Sequence, residues 1–360
     1  MLRTILAAYG LQENQCEIIP FGTGLINNTW KITSGASEYI LQRINQNVFN
    51  IPDDVADNLR SIGRYLNIHF PDYAFVLPIA TQSNNDMVYE MGGYYRLMPF
   101  IKNSKTYVVA SSPQIAREAA QQFGRFTKTL AGFDAGSLKF TIPHFHDLIL
   151  RYKLFEDSLK NGNPERIRQC GPEIAFIRNN KAIVTEYEKI VADPNFKKRV
   201  THHDTKISNV LFNEHNKGIC VIDLDTTMSG YFISDVGDMM RTYLCPYSEE
   251  ENEFSRLSVR EEYFSAIAEG YLEEMSDELT SSEVDHFVYS GEFMIYMQAV
   301  RFLADHFNND IYYSIKYEGH NLIRAKNQIE LLRCYQEKSP IFKKQVQALV
   351  EKNKSSICKQ

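Results

Sequence analysis

The chain has 360 residues, 44% hydrophobic and 23% charged, with a formal net charge of −6 and no run of Lys or Arg. This is the profile of a globular protein long enough for two lobes around a cleft, and it argues against a nucleic-acid partner. No apolar run approaches ~18 residues, MLRTILAAYGL lacks the longer apolar region and cleavage site of a signal peptide, and the six cysteines form no C-x-x-C or close pair; a cytoplasmic protein with reduced thiols and no membrane association is expected.

Residues 1–11 read as a short helix. A three-strand pattern follows at 17–21, 28–32 and 39–44, with turns at Gly22-Thr23-Gly24 and Ser34-Gly35-Ala36-Ser37. Strand, glycine turn, strand is how a kinase-type loop lays backbone N–H groups over phosphates, which makes Gly22 and Gly24 nucleotide-binding candidates; a plain turn is the competing reading. A cation on the third strand would hold the phosphates, and the choice lies between the positions of Gln42 and Arg43. Arg43 is favoured, against a solvated strand-edge arginine. Val55, Leu59, Ile62 and Leu66 at helical spacing predict a helix over 53–70, with Pro52 at its start. It carries no Glu, so a helix partner for Arg43 would have to be Asp54 or Asp57. Short strands are expected at 75–77 and 87–89, then a Gly92-Gly93 turn and a strand over 94–100.

Met98-Pro99-Phe100-Ile101 reads as the linker between lobes. A purine needs flat apolar walls, so Met98 and Phe100 are adenine-contact candidates, with plain interlobe packing as the alternative. The chain is helical afterwards: 112–130 behind a Ser-Pro start, 145–160, 173–192, 253–275, 281–307, 318–336 and 340–353.

The chemistry concentrates in THHDTKISNVLFNEHNKGICVIDLD, residues 201–225. Val210–Phe212 and 219–224 read as strands joined by the polar turn 213–218. Such a hairpin brings Asn209 and Asp223 to one mouth, with Asp204 in the loop feeding it. Clustered carboxylates call for a hard cation, and Mg2+ held by one or two carboxylates plus phosphates points to ATP. The order H-x-D-x4-N, then an Asp 14 residues on, is that of phosphotransferases. Asp204 is the expected base, Asn209 and Asp223 the metal ligands, and Asp225 a supporting or substrate contact. His202 orients the loop. In Ser234 to Arg241, Asp235 is read as a helix cap and a brace for that loop, and Asp238 with Arg241 as an i,i+3 pair.

His202, Asp204, Asn209 and Asp223 resemble the motif of the aminoglycoside phosphotransferase/choline kinase superfamily. D-T-K-x-x-N-V, then I-D-L-D-T and D-x-G-D-x-x-R, is similar to bacterial N-acetylhexosamine 1-kinases, and the resemblance runs from Gly22 to the 318–328 stretch. It implies an α+β, protein-kinase-like two-lobe fold: residues 1–100 as a small antiparallel sheet with one main helix, residues 101–360 as a larger helical lobe. Asn27 and Asn28 are similar to the family's G-x-x-N-x-T pattern, which adds Asn28 to the nucleotide contacts. The D-T-K motif implies that Lys206 lies near the γ-phosphate. Arg301 and Tyr312 resemble the residues that hold the sugar. The implied reaction is Mg·ATP-dependent phosphorylation of a sugar hydroxyl, the anomeric O1 of an N-acetylhexosamine; a monomer is expected, with an oligomer as the alternative. Choline, homoserine, methylthioribose or an aminoglycoside are alternative acceptors. A non-catalytic nucleotide-binding regulator is disfavoured by the intact Asp204, Asn209 and Asp223, and a two-metal phosphohydrolase by the shortage of His and acidic ligands.

Overall fold

The structure is a computed structural model that describes residues 2–22 and 26–357, the side chains of 354–357 excepted. Five antiparallel strands make the first sheet: β1 (Cys16–Pro20), β2 (Asn28–Ser34), β3 (Ser37–Arg43), β4 (Val88–Glu90) and β5 (Gly93–Pro99), in the order β1-β2-β3-β5-β4. Side chains alternate across a strand. One face carries Ile18, Ile32, Leu41, Tyr95 and Leu97, and helix α1 (Leu2–Ala8) buries it through Ile5 and Leu6. The other face carries Lys31, Ile40, Gln42, Arg96 and Met98, by cross-strand register. That face meets the second lobe: Met98 packs with Val76, Leu211, Cys220 and Ile222. Residues 75–77 contribute packing without forming a strand; only Ile79 bridges to Leu97.

Helix α2 (Pro52–His69) lies against the sheet, with Pro52 in its first turn and Val55, Leu59, Ile62 and Leu66 buried. Beyond β5 come α3 (Pro113–Thr129), α4 (Leu148–Asn161), α5 (Pro164–Gln169), α6 (Gly171–Asn179) and α7 (Ala182–Ala192). The expected helix over 173–192 is thus broken near Asn180, where α6 ends. Four short strands follow, pairing as β6 (Arg199–Thr201) with β9 (Met228–Gly230) and β7 (Val210–Phe212) with β8 (Gly218–Val221). The remaining helices are α8 (Phe232–Tyr243), α9 (Glu261–Met275), α10 (Ser281–Asp285), α11 (Tyr289–Phe307) and α12 (His320–Ile357). One continuous helix therefore replaces the two expected over 318–353. Pro340 sits inside it without ending it, beside Ser339, whose hydroxyl bonds the Tyr335 carbonyl at 3.2 Å. None of the helices among the described residues is long and apolar enough to cross a membrane.

Candidate active site

The loop between β6 and β7 is held by hydrogen bonds from three sides. Asp235, in the first turn of α8 and fully buried, accepts the backbone N–H of His202 at 2.9 Å and of His203 at 2.7 Å. The Thr205 hydroxyl donates to the Asp235 carbonyl at 2.7 Å, and the Tyr243 hydroxyl to the Thr205 carbonyl at 2.6 Å. The His202 ring spans the loop: Nε2 lies 2.9 Å from the Ile222 carbonyl, and Nδ1 accepts the Asp204 N–H at 3.3 Å. A carbonyl only accepts, so the proton is on Nε2. Asp235 thus braces the loop, as expected, but does not cap α8, whose N-cap is Tyr231 with no side-chain cap bond, because its carboxylate is turned to the loop amides; His202 ties the loop to the end of the β7–β8 hairpin.

At that mouth Asn209 donates through Nδ2 to the Asp204 carbonyl at 2.9 Å and its carboxylate at 3.3 Å. The amide nitrogen is committed, so Asn209 offers its carbonyl oxygen to a cation. Lys206 Nζ lies 3.0 Å from Asp204 Oδ1. Burial pushes the Asp204 carboxyl up, but Lys206, with His202 and Arg241 beyond it, outweighs burial and holds it below the usual range. Asp223 follows β8 in the left-handed conformation, φ 60°, which Asp tolerates better than most residues. Its carboxylate opens to the cleft floor. There the surrounding protein strips hydration and Asp225 and Asp204 add negative charge, which together push the carboxyl up to about 7. Among the described residues no group of three or more His, Cys, Asp or Glu could cage a metal. The donor set is instead an open one of a carboxylate and a carboxamide oxygen, short of positive charge, and it fits Mg2+ that keeps most of its ligands from phosphates and water.

Of the two roles expected for Asp225, supporting or substrate contact, its surroundings fit the supporting one. It is 1% exposed, pairs with Arg96 at 2.6 Å through Oδ1, and accepts from Asn27 Nδ2 at 2.9 Å through Oδ2. Oδ2 is hydrogen-bonded to Asn27, and Oδ1 is buried beside the Arg96 charge without a hydrogen bond among the described residues, so neither is presented to an acceptor. Asn28, one residue along, is exposed, and by alternation falls with Trp30 on the α1 side; Asn27 is the residue that reaches the acids. Arg43 likewise lies on the α1 face, its guanidinium 6.0 Å from the Tyr95 ring. Period-two alternation forces this, because Gln42 faces the cleft and its neighbour must face away. Asp57 pairs with Arg60. Of the cations on the cleft-side face, Lys31 pairs with Glu38, and Arg96, from β5, stands directly opposite Gln42; the sequence signal was one arginine inside YYRLMPF.

Met98 stands in the apolar layer between sheet and hairpin. Phe100 lies at the end of β5, edge-to-face with Phe21 at 5.9 Å and 4.2 Å from Lys31 Nζ. Gly22 is exposed with φ 79°, and Gly24 lies outside the described residues.

Next to Asp204 in the chain, the His203 ring lies 5.3 Å from His146, which stacks on Phe145 at 4.3 Å. Arg301 stands 5.4 Å from the Phe145 ring, with Tyr313 at 5.4 Å and Tyr312 at 5.7 Å. Arg151 Nη2 donates to the His144 and Phe145 carbonyls at 3.0 and 3.2 Å, and its Nε is buried without a partner. Neither Arg151 nor Arg301 has a carboxylate within 4.0 Å among the described residues. Burial, then the charge of Arg301, lowers the Arg151 guanidinium; burial, then His203 and the arginines, holds His146 well below the usual range. Asp238 and Arg241 form a buried pair at 2.9 Å rather than a surface one, 6% and 10% exposed.

A sequence model of the phosphotransferase enzyme family matches residues 17–271. Among solved structures, an aminoglycoside phosphotransferase from Alicyclobacillus acidocaldarius superposes with a TM-score of 0.61 at 12% identity, over 98% of this chain and 96% of that one. A spectinomycin phosphotransferase in complex with ADP and its drug gives 0.57 at 15% identity, over 93% and 96%. A choline kinase from Cryptosporidium parvum gives 0.57 at 13%, over 92% and 94%. These likenesses show the α+β protein-kinase-like fold; the family match, which runs from the first strand of the sheet through the loop and hairpin of residues 201–225, shows that the chain belongs to the phosphotransferase enzyme family.

Proposed function

We propose that the enzyme transfers the γ-phosphoryl group of ATP to the anomeric hydroxyl of an N-acetylhexosamine. The carrying observation is the cluster next to His203, the residue before Asp204: Arg301 stands among Phe145, Tyr312 and Tyr313, with Phe145 and His146 against the His203 ring and no carboxylate within 4.0 Å of Arg301 among the described residues. Planar donors and aromatic faces suit a neutral, oxygen-rich ring. Choline would want an aromatic cage free of cations, and an aminoglycoside an acidic wall; the wall formed by Arg151 and Arg301 repels both. The similarity of Arg301 and Tyr312 to the sugar-holding residues of N-acetylhexosamine kinases supports the same acceptor.

In this reading residues 1–100 carry the nucleotide and 101–360 the acceptor. Asp204 lines up the hydroxyl and accepts its proton as the oxygen–phosphorus bond forms and the bond to the β-phosphate oxygen breaks, releasing ADP. Lys206, 3.0 Å from Asp204, keeps that carboxylate ionised and lies where charge builds on the transferred group. Asn209 and Asp223 hold Mg2+, which neutralises the phosphates when bound. Met98, with Phe100 at the rim, walls the adenine, and Gly22 covers the phosphates. The test is a product assay with Mg·ATP and a panel of free sugars, read by 31P NMR. An anomeric phosphate on GlcNAc or GalNAc is expected; turnover confined to choline, homoserine or an aminoglycoside refutes the acceptor.

A further inference from the structure

The third strand carries Gln42 where a phosphate-holding cation is expected, and α2 carries no glutamate to pair with one. The structure nevertheless contains a buried ion pair at this point. Arg96, on the neighbouring strand, faces Gln42 directly across the ladder; its Nε and Nη2 both donate to Gln42 Oε1, at 3.0 and 2.7 Å. Its Nη1 lies 2.6 Å from Asp225, and the two side chains are 3% and 2% exposed. Gln42 thus acts as an acceptor that fixes the guanidinium plane, and Asp225 takes the place of the absent helix acid. A guanidinium has five N–H donors; two are hydrogen-bonded to Gln42, and Nη1 is ion-paired with Asp225 without a hydrogen bond. Arg96 lines a cavity of about 40 Å3 together with Asp223, Met98 and Ile222. The cation therefore stands between the adenine wall and the carboxylate expected to hold the metal.

We infer that Arg96 is the residue that binds the nucleotide phosphates, with the cation moved one strand across the sheet from β3 to β5 and oriented by Gln42 and Asp225. This rests on the kinase reading above but not on the identity of the acceptor. Asp225 comes from the other lobe, so the same pair fixes the lobes relative to each other around the phosphate position. A preorganised, desolvated guanidinium is a strong phosphate ligand, because its donors need no rearrangement on binding.

Arg96→Gln leaves Asp225 buried without its partner and so perturbs packing as well as binding. The informative variant is Arg96→Gln with Asp225→Asn, which removes both charges together. Binding of ADP with Mg2+ is measured by calorimetry on the folded full-length protein, together with KM for ATP and kcat. We expect the charge-neutral double variant to melt cooperatively yet bind ADP about 10–100-fold more weakly than wild type. We expect the exchange variant Gln42→Arg with Arg96→Gln, which returns the cation to β3, to recover most of that loss. ADP affinity within threefold of wild type in the charge-neutral variant would overturn the assignment and leave Arg96 a lobe latch only. Wild-type protein that neither binds ADP nor consumes ATP would instead refute the kinase reading itself.

Discussion

Removing the Asp235 carboxylate should disable the enzyme from behind the reacting groups. In Asp235→Ala two buried N–H groups, of His202 and His203, lose acceptors at 2.9 and 2.7 Å. An unsatisfied buried donor costs about 1–3 kcal/mol, so the gross loss is about 2–6 kcal/mol. Part of this returns, because the carboxylate is itself desolvated: burial pushes its carboxyl up to about 6, against the charge of His202 and its two N–H bonds. The expected net destabilisation is about 2–3 kcal/mol. Asp204 follows the two freed amides directly, and a shift of about 1 Å at a reacting group costs about 10²-fold in rate. Urea denaturation should show a lower midpoint at unchanged m-value, and steady-state assays with saturating ATP should show kcat about 10²-fold down. Asp235→Asn, which keeps one acceptor oxygen but turns an amide toward the second N–H, should fall between. Wild-type midpoint and wild-type kcat in Asp235→Ala would refute the bracing role.

Asp204→Asn should lower kcat by about 10²–10⁴-fold while ADP affinity, measured by calorimetry, stays near wild type; near-normal turnover would remove Asp204 from the base role. Asp223→Ala should abolish Mg2+-dependent tightening of ADP binding, and an unchanged magnesium effect would count against its ligand role. Burial lowers the His203 imidazole from 6.5 to about 4, partly opposed by its backbone hydrogen bonds. The unfolded chain therefore takes up a proton below about pH 6.5 and the folded one only near 4; this contribution is present above pH 6.5 and falls by about 3 kcal/mol as pH drops to 4. Asp235 and Asp223, with carboxyls pushed up to about 6 and about 7, slope stability the other way over the same range, so the check is a difference: the wild-type midpoint relative to that of His203→Gln should rise with pH between about 4 and 6.5, and a constant difference would refute the assignment. Free amino sugars should be poor acceptors beside their N-acetyl forms, and Arg151→Gln should narrow the gap in kcat/KM about tenfold by removing one of two unpaired cations; an unchanged ratio would rule out charge as the discriminator.

The catalytic loop was legible in the sequence because its parts are local. His202 to Asp223 is one loop and one hairpin, so spacing alone brings Asn209 to Asp204, and the hairpin's apolar runs needed no distant partner to form. Asp235 was legible for the same reason, as the start of the next helix. The cation proposed for the phosphates was not. Choosing between Gln42 and Arg43 required knowing which face of β3 meets the second lobe, and a strand's own residues state only that neighbours alternate. The face is decided by what packs on it: α1 buries Leu41 and leaves Gln42 to the cleft. Arg96 and Asp225 are 129 positions apart in sequence and meet only because β5 lies beside β3 and the two lobes close on each other. Asn27 in place of Asn28 is the same one-residue question of facing. The sequence by itself determined which chemical groups are available and which local turns gather them; the tertiary structure decided which side of each strand faces the cleft, and with it which cation stands behind the metal-side carboxylate.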